Sequence, residues 1–550
     1  MTQQTQAEQD KWWYIPDYAR RRWDLECRSI PNAVRLSAQR DPAAEAVVAE
    51  DGRRTYAQLN DDMHRAVQAV LALGIEPGDR VGVWGPNSGR WILAALGIHG
   101  AGGVLVPINT RFKGEEAAYV LRKSGAKALF LTTDFLGIDY AAMLREAAPD
   151  LEVLQPGRTV VLSGPADARQ SSWADFLAAG AAVPRERAEA AIDLVGPDSL
   201  SDIMFTSGTT GNPKGVMLTH GQSLRGYGYY TRLLECMPGE RHLIIPPFFH
   251  TFGYKAGWLG CLIHGATIVP IATFDLEQVL ATIERERITM LFGPPTVFQQ
   301  ILDSPRRQAF DLSSLNNIMV ASTVVPAELL HRIAEELHPQ FMWSGYGLTE
   351  VTSVGTTSVP GDSLEIIATT VGRAGPDIEI RIVDAAGTEL PAGEAGEVLF
   401  RGYNVMRGYW QEPELTAETI DADGWLHTGD IGTLDEQGYL RITDRKKDMI
   451  LVGGFNVYPA EVERILGVHP ALESIAIVAA PDARLGEVPV AFAVLHCGAE
   501  LTEAEFLAWA AARIANFKCP RRLVMLDALP RNASMKVLKN DLRELATNLE

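Results

Sequence analysis

Apolar and polar positions follow two rhythms along the first half of this chain. Met63, Val67, Val70 and Leu71 recur at the three-to-four-residue spacing that gathers apolar side chains on one face of a helix. Gly74 offers a stop, residues 77–79 (PGD) a turn, and residues 81–84 (VGVW) a short buried strand. A second helix is expected from about Trp91, leading through the glycines of 100–103 into an apolar strand at 104–107. Helices interleaved with short apolar strands predict a layered α/β architecture. Residues 162–193, rich in Ala, Pro and charge, read as a surface connection, and no internal repeat is visible. The texture changes after Gly438: a strand at 439–443, a charge cluster at 444–448 (DRKKD), an apolar strand at 449–452, a Gly453-Gly454 turn and a helix from Pro459. That remainder fits a small α+β unit.

One segment breaks both rhythms. Residues 203–217 (IMFTSGTTGNPKGVM) set hydroxyls, glycines and one lysine between two short apolar runs, which reads as strand, tight loop, strand. Glycine lets a backbone turn and approach a ligand, so that loop N–H groups converge on an anion. Thr206, Ser207, Thr209 and Thr210 add short donors, Gly208 the freedom to turn, and Lys214 a full positive charge. A polyphosphate is expected here. The segment is not a Walker A loop, because Pro213 stands where a glycine must precede the lysine. Residues 345–350 (GYGLTE) likewise fail as a dinucleotide fingerprint, lacking its third glycine.

Bulk properties narrow the partners. A chain of 550 residues is too long for one compact core and implies at least two domains. A net charge of −19 argues against nucleic acid or an anionic membrane surface as partner. Cys27, Cys236, Cys261, Cys497 and Cys519 form no CxxC or metal-ligand spacing, so reduced thiols in a cytoplasmic protein are expected. Residues 1–10 are polar and lack a signal peptide's apolar core, and no apolar run approaches the ~20 residues that span a bilayer. Trp12, Trp13 and Arg20-Arg21-Arg22 read as a docked N-terminal segment.

Residues 205–215 resemble the nucleotide-binding signature of the adenylate-forming superfamily, which includes acyl-CoA synthetases, luciferases and peptide-synthetase adenylation domains. Further segments match in order: 55–59 (TYAQL), 100–110 (GAGGVLVPINT), 345–350 (GYGLTE), 424–430 (GWLHTGD), 444–461 (DRKKDMILVGGFNVYPAE) and 530–538 (PRNASMKVL). The resemblance covers nearly the whole chain. It implies a large layered α/β N-terminal domain with a β-barrel-like part, residues 1–443, and a small mobile α+β C-terminal domain, residues 444–550, hinged near Lys447.

The implied chemistry is two-step. A carboxylate is a poor acylating agent; joining it to AMP supplies a leaving group that the thiol of CoA then displaces. By resemblance, Lys536 brings positive charge to the point where carboxylate meets α-phosphate; Met535 before it stands where the family usually has glycine. Thr349 is expected at an α-phosphate oxygen and Glu350 on Mg2+, a hard cation preferring oxygen ligands. Asp430 would accept from the ribose hydroxyls and Arg445 would contact ribose or phosphate. Tyr346, between Gly345 and Gly347, would stack on adenine opposite Ala321, Ser322 and Thr323. Gly453 and Gly454 would line a pantetheine tunnel once the small domain swings. His250, in the aromatic run 247–254 (PFFHTFGY), matches a position beside the acyl carboxylate.

Phe248, Phe249, Phe252, Tyr254 and Trp258, with no nearby aspartate to hold an α-ammonium, suggest a hydrophobic acid rather than an amino acid. A medium- or long-chain fatty acid is expected, with a ring-bearing acid such as a steroid-derived propionate as the alternative. A luciferase-like oxygenase and a ligase serving a carrier protein stay open, as does a homodimer. The Ser199 segment 196–200 (GPDSL) is a poor carrier site because phosphate-loop sequence follows within a few residues. Without a GxSxG motif, a serine hydrolase is disfavoured.

Overall fold

The computed structural model describes residues 27–206, 213–321, 325–445, 448–452, 455–482, 484–532 and 536–548; Trp12, Trp13 and Arg20–Arg22 lie outside them. The helix expected around Met63 runs from Tyr56 to Ala72, opened by a capping box in which Thr55 and Gln58 satisfy each other's backbone N–H groups. Its apolar stripe, Leu59, Met63, Val67 and Val70, is fully buried. The second helix spans Gly89–Gly100 and is buried on every side, which explains its lack of an amphipathic pattern.

The strands of the first half are β1 (Glu45–Ala49), β2 (Gly52–Thr55), β3 (Arg80–Trp84), β4 (Val104–Pro107), β5 (Ala128–Thr132), β6 (Thr159–Ser163), β7 (Gln170–Ser172), β8 (Leu200–Thr206) and β9 (Lys214–Thr219). Five more follow: β10 (Arg241–Ile244), β11 (Thr267–Pro270), β12 (Met290–Gly293), β13 (Asn317–Val320) and β14 (Phe341–Trp343). They form two seven-stranded sheets, ordered β7-β6-β5-β3-β4-β8-β9 and β14-β13-β12-β10-β11-β1-β2. Each is parallel except for one terminal hairpin, β8–β9 in the first and β1–β2 in the second. The two sheets therefore repeat one strand arrangement, with the hairpin last in chain order in the first and earliest in the second, although no repeat is visible in the residues that build it. Near-continuous apolar strands covered by helices are what parallel sheets require, and many residue choices satisfy them.

Residues 162–193 depart from expectation. They supply β7 and two helices, Trp173–Gly180 and Arg185–Leu194, whose Phe176, Ala188 and Ile192 enter the main core. Those few anchors are spaced too widely among alanines and charges to read as a stripe.

Smaller antiparallel sheets follow. β15 (Gly345–Tyr346), β16 (Thr356–Thr357) and β17 (Arg373–Ala374) make one, and β18 (Ile378–Val383), β19 (Gly396–Gly402), β20 (Leu426–Leu434) and β21 (Leu440–Arg445) make the other. The last unit contains β22 (Ile450–Val452), β23 (Phe455–Val457), β24 (Leu472–Asp482), β25 (Gly486–Leu495) and β26 (Leu523–Met525), ordered β23-β22-β25-β24 with β26 alongside β25. Helices Pro459–Leu466 and Glu503–Ala511 bury Val462, Leu466, Phe506 and Ala510 in one of its cores, and Lys539–Thr547 buries Leu542 and Ala546 in another. A large α/β domain with a smaller α+β one is thus the observed class. Among the described residues, no helix is long and apolar enough to cross a membrane.

Candidate active site

The strand–loop–strand expectation is met by the β8–β9 hairpin, in which Phe205 faces Gly215 and Thr206 faces Lys214 across the ladder. Thr206 and Lys214 thereby stand together at the mouth of the loop, both partly exposed. Ser207, Gly208, Thr209 and Thr210 lie outside the described residues. The outer edge of β9 is stitched to the segment 407–410: Arg407 N–H donates to Met217 O (3.0 Å), Met217 N–H to Gly408 O (3.0 Å) and Trp410 N–H to Gly215 O (2.7 Å).

Gly345 and Tyr346 form β15, and Thr349 and Glu350 sit in a short 3-10 turn, Thr349–Val351, with Thr349 buried and Glu350 partly exposed. This turn is followed by two consecutive left-handed residues, Thr352 (φ 59°) and Ser353 (φ 56°). A β-branched residue resists that conformation, and such strain persists only where surrounding contacts enforce it. Here Thr352 Oγ1 donates to Asn404 O (2.7 Å), and the Ser353 hydroxyl pairs with that of Thr251. Gly347 is the counterpart: a Cβ there would lie 2.5 Å from the backbone carbon of Ser353. The strained turn thus joins the Thr349–Glu350 pair to the segment carrying His250.

Tyr346 and Asp430 meet directly. The tyrosine hydroxyl donates to Asp430 Oδ2, and its ring stacks on Phe400 at 6.1 Å. Asp430, on β20, is 4% exposed, and its N–H donates to Thr428 Oγ1 (3.0 Å). Arg445 is its register partner on β21. On the expected adenine wall, Ala321 is buried just past the end of β13, and Ser322 and Thr323 lie outside the described residues.

His250 precedes a π-helix, Phe252–Leu259, a rare kind of element that is frequent at functional sites. Its first turn needs Gly253, where a Cβ would lie 2.1 Å from Pro246 O. The Phe252 N–H donates to His250 Nδ1 (3.2 Å), so the neutral ring carries its proton on Nε2. Burial lowers the His250 pKa to about 4, so the ring is a neutral donor at physiological pH. The aromatic run divides. Phe248, Tyr254 and Trp258 are fully buried and pack around Trp91 at 5.3, 6.1 and 6.1 Å, so they belong to the core rather than to an acyl pocket. Phe249 and Phe252 retain exposed surface.

Lys536 is exposed in a turn closed by its N–H donating to Asn532 Oδ1 (2.9 Å) and by Asn532 N–H donating to Lys536 O (2.8 Å). Lys447, Gly453, Gly454 and Met535 lie outside the described residues. Tyr409 was invisible to motif reading, yet its hydroxyl donates to Glu350 Oε1 (3.0 Å). Its partner is distant in sequence, and no short-range signal marks it.

A hairpin that pairs Thr206 with Lys214, a buried aspartate bonded to a tyrosine, and a glutamate beside a strained turn are what the described residues assemble here. The model of the AMP-binding enzymes matches residues 34–410, and that of their C-terminal domain matches residues 461–536. The chain belongs to the AMP-binding enzyme family. It is 46% identical over 521 residues to a 3-[(3aS,4S,7aS)-7a-methyl-1,5-dioxo-octahydro-1H-inden-4-yl]propanoyl:CoA ligase of Mycobacterium tuberculosis, covering 94% of this chain and 99% of that one. It is 36% identical over 541 residues to the mitochondrial medium-chain acyl-CoA ligase ACSF2 of Homo sapiens, covering 94% and 88%. ATP-bound MatB from Rhodopseudomonas palustris superposes with a TM-score of 0.83 at 28% identity, covering 94% and 99%. This AMP-binding enzyme is an acid–thiol ligase of the acyl-CoA synthetase branch, using ATP and CoA.

Proposed function

We propose that the acid this ligase activates is a ring-bearing propanoic acid, joined first to AMP and then to CoA. The observation that carries the choice is the 46% identity, along nearly all of both chains, to a ligase named for such a substrate, against 36% for the medium-chain enzyme. A medium-chain fatty acid is the second reading, favoured by that latter likeness.

In the proposed site, the β8–β9 loop from Thr206 through Ser207, Gly208, Thr209 and Thr210 to Lys214 grips the triphosphate. Asp430 takes the ribose hydroxyls in competition with Tyr346, whose ring, flanked by Gly345 and Gly347, borders the base with Ser322 and Thr323. Arg445, opposite Asp430 in register, reaches ribose or phosphate. Thr349 meets the α-phosphate. The single carboxylate of Glu350 suits Mg2+, which is commonly held by one or two carboxylates plus substrate phosphates; among the described residues, no group of three or more His, Cys, Asp or Glu side chains is placed to hold a metal ion. When bound, the ion would neutralise phosphate charge. His250 donates from Nε2 to the acid's carboxylate without adding a formal charge. Lys536 supplies charge at the adenylation transition state. A swing about Lys447 of residues 444–550 against 1–443 then withdraws it and presents Gly453 and Gly454 to CoA. β21 crosses that divide, ending at Arg445.

The test is an acid panel with pyrophosphate and acyl-CoA measured in parallel. The bicyclic dione propanoate should exceed octanoate and decanoate in kcat/KM by about tenfold or more, as pocket shape commonly delivers. Equal or higher values for the straight chains would transfer the assignment to them.

A further inference from the structure

We propose that Tyr409 is a positioning residue of the adenylation site, holding the carboxylate of Glu350 in its metal-binding orientation while its ring seats the Lys214 ammonium. The proposal rests on the reading of Glu350 and Lys214 given above. Tyr409 is 6% exposed and touches both groups: its hydroxyl donates to Glu350 Oε1 at 3.0 Å, and Lys214 Nζ lies 5.4 Å from its ring centroid. The first contact fixes the carboxylate plane. The second places a cation over the electron-rich ring face, within the range where such attraction operates.

The segment carrying Tyr409 is tied to both neighbours by backbone. Its own N–H donates to Thr416 Oγ1 (2.9 Å), flanking Arg407 and Trp410 bond to β9, and Met406 N–H donates to Glu350 O (2.8 Å). Tyr409 therefore cannot shift without moving the strand of Lys214 or the turn of Glu350. Burial and the neighbouring carboxylate both raise the pKa of the hydroxyl, which remains a donor at any physiological pH. A ring that merely filled space would not need that hydroxyl aimed at a glutamate. Partners of this kind orient metal ligands, and their loss commonly weakens metal affinity by ten- to a hundredfold.

The experiment compares wild type, Tyr409→Phe and Tyr409→Leu in ATP–pyrophosphate exchange as Mg2+ is varied. It also measures Mn2+ binding to the enzyme–ATP complex by electron paramagnetic resonance, and thioester formation from supplied acyl-adenylate. Tyr409→Phe should raise the half-saturating Mg2+ and weaken Mn2+ binding by about tenfold, with the acid KM and the thioester half-reaction unchanged. Tyr409→Leu should also weaken ATP binding in EDTA, which Tyr409→Phe should not. Wild-type metal dependence and Mn2+ binding in Tyr409→Phe would overturn the proposal. So would equal loss in both half-reactions, or loss of that variant's cooperative thermal transition, since the ring alone carries the packing. Absence of pyrophosphate exchange in wild type would instead sink the underlying assignment of the site.

Discussion

One hairpin carries two charged clusters with opposite fates. Toward the interior, Asp202 on β8 accepts from Lys255 Nζ (2.8 Å) and Ser201 Oγ (2.6 Å), Lys255 also donates to Ser223 Oγ (2.6 Å), and His99 Nε2 lies 3.6 Å from Asp202. Asp202, Lys255, Ser201, Ser223 and His99 have no exposed surface. Burial opposes the Asp202 charge, but the adjacent Lys255 and His99 outweigh it and hold the carboxyl below its usual range. At the mouth of the same hairpin, Lys214 and Glu350 remain partly exposed beside Tyr409. Residue type does not separate the two clusters. What separates them is exposure: the inner cluster is turned on itself, and the outer one keeps partly exposed charge at the hairpin mouth, where the proposed function puts the triphosphate.

The sharpest break in this comparison is Lys255→Met. Removing one partner of a buried ion pair leaves an uncompensated charge and costs about 3–5 kcal/mol. Denaturant unfolding should show that loss. Replacing both partners, as Asp202→Leu with Lys255→Met, should recover most of it, because well-packed apolar groups of similar volume often match a buried pair. A single variant as stable as wild type would mean that the inner cluster holds nothing together.

Lys536→Ala should do the reverse. Its side chain is exposed, so stability should move by no more than about 0.5 kcal/mol. Acyl-AMP formation should slow by roughly 10²–10³, the usual cost of removing a transition-state donor. Thioester formation from supplied acyl-AMP should be largely spared. Single-turnover measurement of each half-reaction separates the outcomes, and equal slowing of both would remove Lys536 from its assigned role.

The same contrast explains what the residues revealed and what they hid. The β8–β9 hairpin was legible as strand, loop, strand because two short apolar runs flank a stretch of hydroxyls and glycines. The helix Tyr56–Ala72 was legible because its stripe has one period. The Tyr346–Asp430 pair was foreseen only as two separate ligand contacts; that they bond to each other follows from β20 passing beside β15, which no local pattern encodes. Lys255 was missed because a lone lysine among aromatics reads as surface, and the π-helix breaks the 3.6-residue rhythm that would have turned it inward. The same altered rhythm made Tyr254 and Trp258 read as pocket lining when they are core, and Phe248, in the turn before the π-helix, joins them. An apolar stripe shows that a face is covered, not whether protein or ligand covers it.

The finest test of the comparison is the pH response of His250, which shares features of both clusters: buried enough to be neutral, yet proposed to meet the acid's carboxylate. Its pKa is lowered by burial to about 4, below the ordinary 6.5. The ring stays neutral as pH falls through 6.5 and gains its proton only on approaching pH 4. Between pH 6 and 8 its contribution to kcat/KM for the acid should therefore change by less than about twofold, whereas a histidine titrating at its ordinary pKa would change protonation severalfold across that window. His250→Ala should lower kcat/KM by about tenfold through loss of one hydrogen bond, by the same factor at pH 6 and pH 8. A loss that depends on pH across that interval would show that the imidazole works as a charged group, and would class it with the partly exposed outer cluster rather than with the buried inner one.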